Sequence, residues 1–289
     1  METVLAVDIG GTKVAAGTVT STGELLRRSV RPTPDGDDGE AVLAAVLAAV
    51  DEVRTGHELA CGVGCGGPMT PGGEAVSPLN IRGWRGFPLR SRLAAATGLV
   101  PHVDNDAKAL ALGEWSWGAA RGEPHFLGMV VSTGVGGGIV LDGRLLHGAA
   151  GNAGHIGHVI VEPSGRPCAC GAIGCLEAEA SGTAIAARTG RPAAVAPLVE
   201  RQRAGRLVGR AVASVVNLLD LRLTTVAGSV ALGFGDDFFG SAQDELDRSA
   251  RISYANGARI VPAGLGDEGP LVGAAALAWR ALGRPAHGT

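Results

Sequence analysis

Residues 3–19 read TVLAVDIGGTKVAAGTV, two apolar runs joined by a glycine turn. Both runs have the length and composition of buried strands, so the stretch predicts a β-hairpin. A lone Gly-Gly turn would mean little, since tight hairpins need glycine in any case. However, the arrangement recurs at residues 127–141, which read LGMVVSTGVGGGIVL. The repeat predicts two similar lobes, each presenting one phosphate-binding turn.

Each turn carries candidate nucleotide-binding residues. Glycines allow backbone N–H groups to close on a phosphate, hydroxyl and ammonium groups add donors, and a carboxylate at a strand end can hold water around Mg²⁺. The first turn supplies Asp8, Gly10, Gly11, Thr12 and Lys13, and the second supplies Thr133, Gly134 and Gly136. Together the two turns predict a nucleotide-binding cleft.

Elsewhere, apolar strands alternate with amphipathic helices. A helical apolar stripe is expected at residues 40–54, a buried strand at 59–66, and a strand at 99–103 that delivers Asp104-Asn105-Asp106 to the start of a helix. Such alternation predicts α/β architecture with mixed sheets. The predicted division is a small N-terminal lobe, 1–105, completed by a C-terminal helix, 273–289, and a larger lobe, 106–272.

Composition narrows the class of protein. The chain has 289 residues, 46% of them apolar and 18% charged, which is typical of a globular protein with one or two domains. A net charge of −3 gives no basic field, so we expect no nucleic-acid partner. No apolar run approaches the roughly 18 residues of a membrane span, and no signal peptide precedes the first strand. Five cysteines, an odd number, predict a reducing cytoplasm.

Three of those cysteines form a cluster with a histidine. His158, Cys168, Cys170 and Cys175 can supply one imidazole and three thiolates, a complete tetrahedral set for structural Zn²⁺. The alternative is that they are buried free cysteines, which the close spacing disfavours. Cys61 and Cys65, in an apolar strand, are expected to be core residues.

Asp106 is the candidate general base. Phosphoryl transfer to an alcohol needs a group that takes the hydroxyl proton, and a carboxylate at a strand-to-helix corner is placed to do so. The same three residues, Asp104 to Asp106, could instead simply cap the helix. Spacing alone leaves both interpretations open.

Four motifs together resemble the ROK family (repressors, open reading frames and sugar kinases). They are DIGGTK at 8–13, NDA at 105–107, STGVGGG at 132–138, and Gly157-His158 running into CACGAIGCLE at 168–177. The resemblance covers essentially the whole chain. It implies an actin/hexokinase-like fold with two lobes around a cleft, and ATP-dependent phosphorylation of the 6-hydroxyl of a hexose. It also implies Mg²⁺, structural Zn²⁺ and a homodimer or tetramer.

The resemblance also assigns roles to residues. Asp106 becomes the base, and Gly228-Ser229 would lie near the adenosine. His158 would use one ring nitrogen for zinc and face the sugar as well. The remaining sugar contacts implied are Gly67, Asn80, Asn105, His155 and Glu177.

His155 departs from the family pattern, in which kinases usually have glutamate. An imidazole can donate as well as accept hydrogen bonds, so the substitution changes what the sugar pocket recognises. Glucose or a close relative is the first expectation. An amino or N-acetylamino hexose, such as glucosamine, kanosamine, N-acetylglucosamine or N-acetylmannosamine, is the alternative. A third interpretation is that His155 points away and water fills the gap.

A sugar-responsive regulator and a non-catalytic sugar-binding or scaffold protein compete with an ATP-dependent sugar kinase. Family repressors carry a helix-turn-helix domain before the first glycine turn, which here begins at Asp8, so a sugar-responsive regulator is disfavoured. Polyphosphate is an alternative phosphate donor, although the relatives that use it lack the cysteine motif.

Overall fold

The computed structural model describes residues 1–284, which form two five-stranded sheets with helices packed against them. The predicted α/β class is confirmed. The strands are β1 (Thr3–Ile9), β2 (Lys13–Thr20), β3 (Leu25–Pro32), β4 (Cys61–Cys65), β5 (Pro101–Asn105), β6 (Phe126–Val131), β7 (Val135–Leu141), β8 (Arg144–Leu145), β9 (Leu223–Ala227) and β10 (Arg259–Pro262). The helices are α1 (Gly39–Val53), α2 (Leu89–Thr97), α3 (Asp106–Trp117), α4 (Leu176–Ala180), α5 (Gly182–Thr189), α6 (Leu198–Leu219), α7 (Ser229–Phe234), α8 (Asp236–Ser249) and α9 (Gly269–Ala281).

The first sheet has the order β3-β2-β1-β4-β5. β1 pairs antiparallel with β2, as the hairpin pattern predicts, and parallel with β4, which is parallel to β5. Every residue of β1 and β4 is buried, which explains why their sequences are mainly apolar. α1 begins at the cap Asp38, whose side chain accepts hydrogen bonds from Glu40 N and Ala41 N. Its apolar face, including Val42, Val46 and Val50, belongs to the core on one side of this sheet.

α9 packs on the opposite side of the first sheet at very close range. A Cβ on Gly62 of β4 would overlap the carbonyl oxygen of Ala274 in α9. α9 also packs against α3, where a Cβ on Gly113 would lie 2.8 Å from the Cα of Gly273. The C-terminal helix therefore completes the N-terminal core. The helix was predicted at 273–289, and α9 begins four residues before that, at Gly269. Positions 285–289 lie outside the described residues.

The second sheet has the order β10-β9-β6-β7-β8. It repeats the motif of the first, because β6 pairs antiparallel with β7 and parallel with β9. α6 and α8 pack closely, since a Cβ on Gly205 or Gly209 would overlap the backbone of α8. α6 begins at Leu198 and α8 begins at Asp236.

The chain separates into two compact units. The first contains residues 1–122, 145–153 and from Gly264 on, and the second contains residues 123–144 and 154–263. α3 packs within the first unit, whereas the domain boundary expected at 105/106 would assign it to the larger lobe. The predicted domain division stays a prediction. Across residues 1–284, no helix combines the length and apolarity that crossing a membrane would require.

Candidate active site

Three parallel strands of the first sheet end at one edge. Asp8 in β1 is level with Gly64 in β4, and Gly64 is level with Asp104 in β5. Asp106 follows β5 directly, and the predicted sugar contact Gly67 follows β4. A Cβ on Gly64 would lie 3.4 Å from Asp106 Cα and 3.6 Å from Asp8 Oδ1. The structure therefore brings together the two carboxylates that the sequence singles out.

The two acids influence each other electrostatically. Burial raises the pKa of Asp8 to about 7, the negative charge of Asp106 adds to the rise, and Lys13 opposes it. Burial and the same two carboxylates raise the pKa of the Cys65 thiol well above its usual value. Cys65 is thus a neutral core thiol, as expected. A cation bound near Asp8 would favour the ionised carboxylate.

Backbone hydrogen bonds fix the first glycine turn. Gly10 N donates to Lys13 O at 3.0 Å, and Thr33 N donates to Thr12 O at 3.0 Å. The Thr33 hydroxyl donates to Gly10 O at 2.7 Å. Thr33, in the loop after β3, therefore holds the turn from the outside.

Two predicted sugar-contacting asparagines lie near this edge of the first unit. A Cβ on Gly11 would be 2.5 Å from Asn80 Cβ, so Asn80 lies against the glycine turn. Asn105 is the cap of α3, and its Oδ1 accepts hydrogen bonds from Ala107 N and Lys108 N at 3.0 and 3.4 Å. Ala107 N also donates to Asp106 Oδ1 at 2.8 Å, so one oxygen of that carboxylate contacts the first turn of the helix that Asn105 caps.

A buried lysine, which the sequence analysis did not single out, supports the same corner. Lys108 is 1% exposed and its Nζ lies 2.8 Å from Asp104 Oδ1. The same ammonium donates to Gly151 O at 2.9 Å and lies 3.3 Å from His147 Nδ1. It therefore ties the strand end before Asp106 to the segment 147–151 within the first unit.

The second glycine turn meets the predicted adenosine residues in the second unit. Ser229 Oγ lies 3.0 Å from Ser132 Oγ. Gly228 has φ +100°, and a Cβ there would overlap Val131 O, so only glycine fits. Thr133 and Gly134 form the turn, while Gly136 lies inside β7 opposite Val130.

Glu177, a predicted sugar contact, is bonded to this turn. Its Oε2 accepts a hydrogen bond from Val135 N at 2.9 Å. A Cβ on Gly134 would lie only 2.7 Å from that oxygen. Gly134 therefore leaves room for the Glu177 carboxylate to lie against the turn.

The segment that carries the two predicted sugar-binding histidines packs on β7. A Cβ on Gly154 would overlap Gly137 O, and a Cβ on Gly157 would overlap Val135 O. The rings of His155 and His158 are 6.0 Å apart. Gly154 and Gly157 thus allow the backbone of this segment to pack directly on the backbone of β7.

The Cys₃His cluster comes together within the second unit. The ligand atoms of His158, Cys168, Cys170 and Cys175 all lie within 4.8 Å of one another. Cys168 Sγ is 3.7 Å from His158 Nδ1, and Cys170 Sγ is 3.7 Å from Cys175 Sγ. Zinc–sulfur bonds of about 2.3 Å in a tetrahedron place sulfurs roughly 3.8 Å apart. The donor set and its spacing therefore fit a zinc ion.

The pKa values of two thiols in the cluster shift in opposite directions. Burial, and then the neighbouring sulfurs of Cys170 and Cys168, raise the pKa of Cys175 to about 12. The Ala172 backbone hydrogen bond lowers the pKa of Cys170. Because a metal binds thiolates, it would have to displace protons from this cluster.

The sequence comparison decides the family. Residues 4–281 match the model of the ROK family. This chain belongs to the ROK family. The predicted resemblance is therefore confirmed over nearly the whole chain.

Curated relatives and solved structures agree. The chain is 31% identical to the glucokinase of Thermotoga maritima, across 97% of this chain and 98% of that enzyme. It is 36% identical to the N-acetylmannosamine kinase of Yersinia pseudotuberculosis, across 80% and 84%. Its structure is similar to the ROK family glucokinase from Streptomyces griseus in complex with glucose and AMPPNP, with a TM-score of 0.83, 29% identity, and 95% and 98% coverage. The actin/hexokinase-like fold expected for a ROK protein is confirmed.

Three supporting residues of this ROK chain escaped the sequence analysis. Lys108 lies four residues after Asp104, a helical ion-pair spacing that could have signalled it. Glu179, 1% exposed, accepts hydrogen bonds from Arg166 N and the Arg203 guanidinium, both at 2.5 Å. Thr183 donates to Thr133 O at 3.0 Å. No local pattern marks the last two contacts, because their partners are distant in sequence.

Proposed function

We propose that this protein is an ATP-dependent kinase that phosphorylates the 6-hydroxyl of glucose or a closely related hexose in the cytoplasm. The observation that carries the proposal is the approach of Asp8 and Asp106 at one sheet edge, beside a glycine turn, in a chain of the ROK family. The glucokinases among its relatives support the same reaction.

The roles follow from the chemistry of phosphoryl transfer. Asp106 takes the proton of the sugar 6-hydroxyl as the oxygen attacks the γ-phosphorus. Asp8 would hold the hydration shell of Mg²⁺, which would supply positive charge beside the phosphates. The two turns hold the phosphates through Gly10, Gly11, Thr12 and Lys13, and through Thr133, Gly134 and Gly136. Gly228 and Ser229 lie near the adenosine.

In this proposal, Asn105, His158 and Glu177 each use one polar atom for the protein's own contacts and another for the sugar. Asn105 Oδ1 accepts a hydrogen bond from Ala107 N as the helix cap, so the Nδ2 amide of Asn105 is the group that donates to a sugar hydroxyl. His158 has Nδ1 beside Cys168, so Nε2 faces the sugar and Nδ1 binds zinc. Glu177 keeps Oε1 for a hydroxyl, because Oε2 accepts from Val135 N. Gly67, Asn80 and His155 complete the proposed set.

The zinc ion is proposed to be structural, since four protein ligands leave no open position for substrate. Zinc supplies a fixed crosslink between His158 and the cysteine segment 168–175. The protein side chains then carry all the chemistry. A homodimer is also proposed, and light scattering that gave a monomer would contradict it.

An amino or N-acetylamino hexose is the second candidate substrate. His155, where related kinases usually have glutamate, and the similarity to an N-acetylmannosamine kinase favour it. The test is ATP consumption over glucose, mannose, glucosamine, kanosamine and the N-acetylhexosamines, repeated with His155→Glu. Turnover of a hexose confirms the kinase, and a changed preference in the variant assigns His155 to specificity. No sugar-dependent ATP consumption, or faster transfer from polyphosphate than from ATP, would contradict the proposal.

A further inference from the structure

The second glycine turn is held from the side of α5 by two carbonyl contacts. Gly182 N, at the start of α5, donates to Ser132 O at 2.7 Å. The Thr183 hydroxyl donates to Thr133 O at 3.0 Å, and Thr183 N approaches the same oxygen at 3.4 Å. Successive carbonyls of the turn therefore point toward α5.

This orientation determines where the amides of the turn point. In a trans peptide the carbonyl oxygen and the following N–H lie in one plane and point in opposite directions, on either side of the C–N bond. Fixing Ser132 O toward α5 turns Thr133 N–H away from α5, and fixing Thr133 O turns Gly134 N–H away. Two consecutive N–H groups then face one direction, the arrangement that binds an anion. Val135 N–H does not join them, since it donates to Glu177.

The start of α5 is itself held firmly. The Ser181 side chain accepts a hydrogen bond from Ala184 N and so caps α5. Immediately before it, Glu179 of α4 is buried and bonded to Arg203 of α6 and to Arg166 N. The position of Thr183 is therefore fixed by contacts of α4, α5 and α6 that do not involve the glycine turn.

We propose that Thr183 is a positioning residue for the nucleotide: its hydroxyl fixes the Thr133 carbonyl and thereby aims Gly134 N–H at a phosphate of ATP. The inference rests on the proposed function and adds a residue that neither glycine turn contains. Thr183 acts through the turn and need not touch the nucleotide.

Substitution of Thr183 by Val and by Ser separates the hydroxyl from side-chain bulk. Thr183→Val removes the donor and keeps the shape, whereas Thr183→Ser keeps the donor. Thr189→Val is the matched control, because the Thr189 hydroxyl donates to Ile185 O at the other end of the same helix. The measurements are calorimetric Kd values for ATP, ADP and adenosine, KM for ATP and for sugar, and the melting temperature.

Loss of one hydrogen bond of ordinary strength predicts that Thr183→Val weakens ATP and ADP binding about 3- to 10-fold. Thr183→Val should keep the wild-type affinity for adenosine and the wild-type KM for sugar, and its melting temperature should match that of Thr189→Val. Thr183→Ser should behave as wild type. Equal ATP affinity in the Val and Ser variants, or an equal loss for adenosine, would overturn the inference while leaving a working kinase. A wild-type protein that bound no ATP would overturn the inference and the proposed function together.

Discussion

Asp8 is an acid whose burial has an energetic cost. Its pKa rises from 3.8 to about 7, chiefly through burial and then through Asp106. Because the folded-state pKa lies above the unfolded-state value, ionisation destabilises the fold. The penalty is absent below about pH 4, grows as the pH rises to about 7, and is fully present above it. At about 1.4 kcal/mol per pKa unit, this corresponds to about 4 kcal/mol in the absence of a cation.

Asp8→Asn should therefore stabilise the nucleotide-free protein in a pH-dependent manner. Asparagine keeps the shape and has no charge to desolvate, so the gain should reach several kcal/mol at pH 8 and be small at pH 4.5. Urea unfolding at both pH values, without Mg²⁺, measures it. Asp51→Asn, on the exposed face of α1, is the control and should show no such gain. A gain for Asp8→Asn that was equal at both pH values would contradict the electrostatic explanation.

Local spacing explains which site residues were predictable. Asp8, Asn105, Asp106 and the cysteine segment are marked by contiguous patterns: a strand end beside a glycine turn, a cap, and closely spaced ligands. Lys108 and Thr183 matter through partners about 40 to 50 positions away. Such contacts depend on the tertiary fold, and no window of sequence contains both ends.

Helices and strands, too, were predictable only where a local sequence pattern marks them. Both hairpins and the long helix α1 have clear periodicity and were predicted. α4, α5 and α7 are five to eight residues long and have no sustained apolar stripe, so they were not. Gly62 shows the same dependence on tertiary structure. Within the sequence CGVGC nothing marks it as special, and only the packing of α9 on β4 explains why this position is glycine.

Gly62→Ala should destabilise the protein. The new Cβ would overlap Ala274 O, so α9 would have to move off β4 at a cost of about 1–3 kcal/mol. Gly240→Ala is the matched control, because Gly240 lies in α8 with nothing within 4 Å of an added Cβ. It should be stabilising by about 0.5–1 kcal/mol. If chemical denaturation gave the two variants equal stability, the close packing of α9 would be contradicted.

Cys170→Ser should lose zinc and sugar affinity together. A ligand of the cluster is removed, so the segment between His158 and Glu177 loses its crosslink. Metal content by mass spectrometry and sugar Kd by calorimetry measure the two effects. Cys61→Ala, in β4 and outside the cluster, should retain both properties. Normal sugar binding by a metal-free Cys170→Ser protein would show that the metal does not support the sugar site.

Across the whole molecule, the repeated hairpin made the fold predictable. Two copies of strand, glycine turn and strand initiate two sheets with matching topology, β2-β1-β4 and β7-β6-β9. The membership of α3 in the first compact unit was not predictable, because it depends on packing against α9 from the far end of the chain. In the function proposed for this ROK sugar kinase, one carboxylate, Asp106, performs proton transfer.

The most direct test is the single-turnover rate of phosphoryl transfer in Asp106→Asn, measured by chemical quench with saturating ATP and sugar. Asp142→Asn, at the exposed turn after β7 where asparagine also tolerates φ +50°, is the control and should behave as wild type. Calorimetry checks that both substrates still bind. With binding retained, the rate should be about 10²- to 10⁴-fold below wild type, because the general base is lost. A rate within a few fold of wild type would contradict the role of Asp106 as general base.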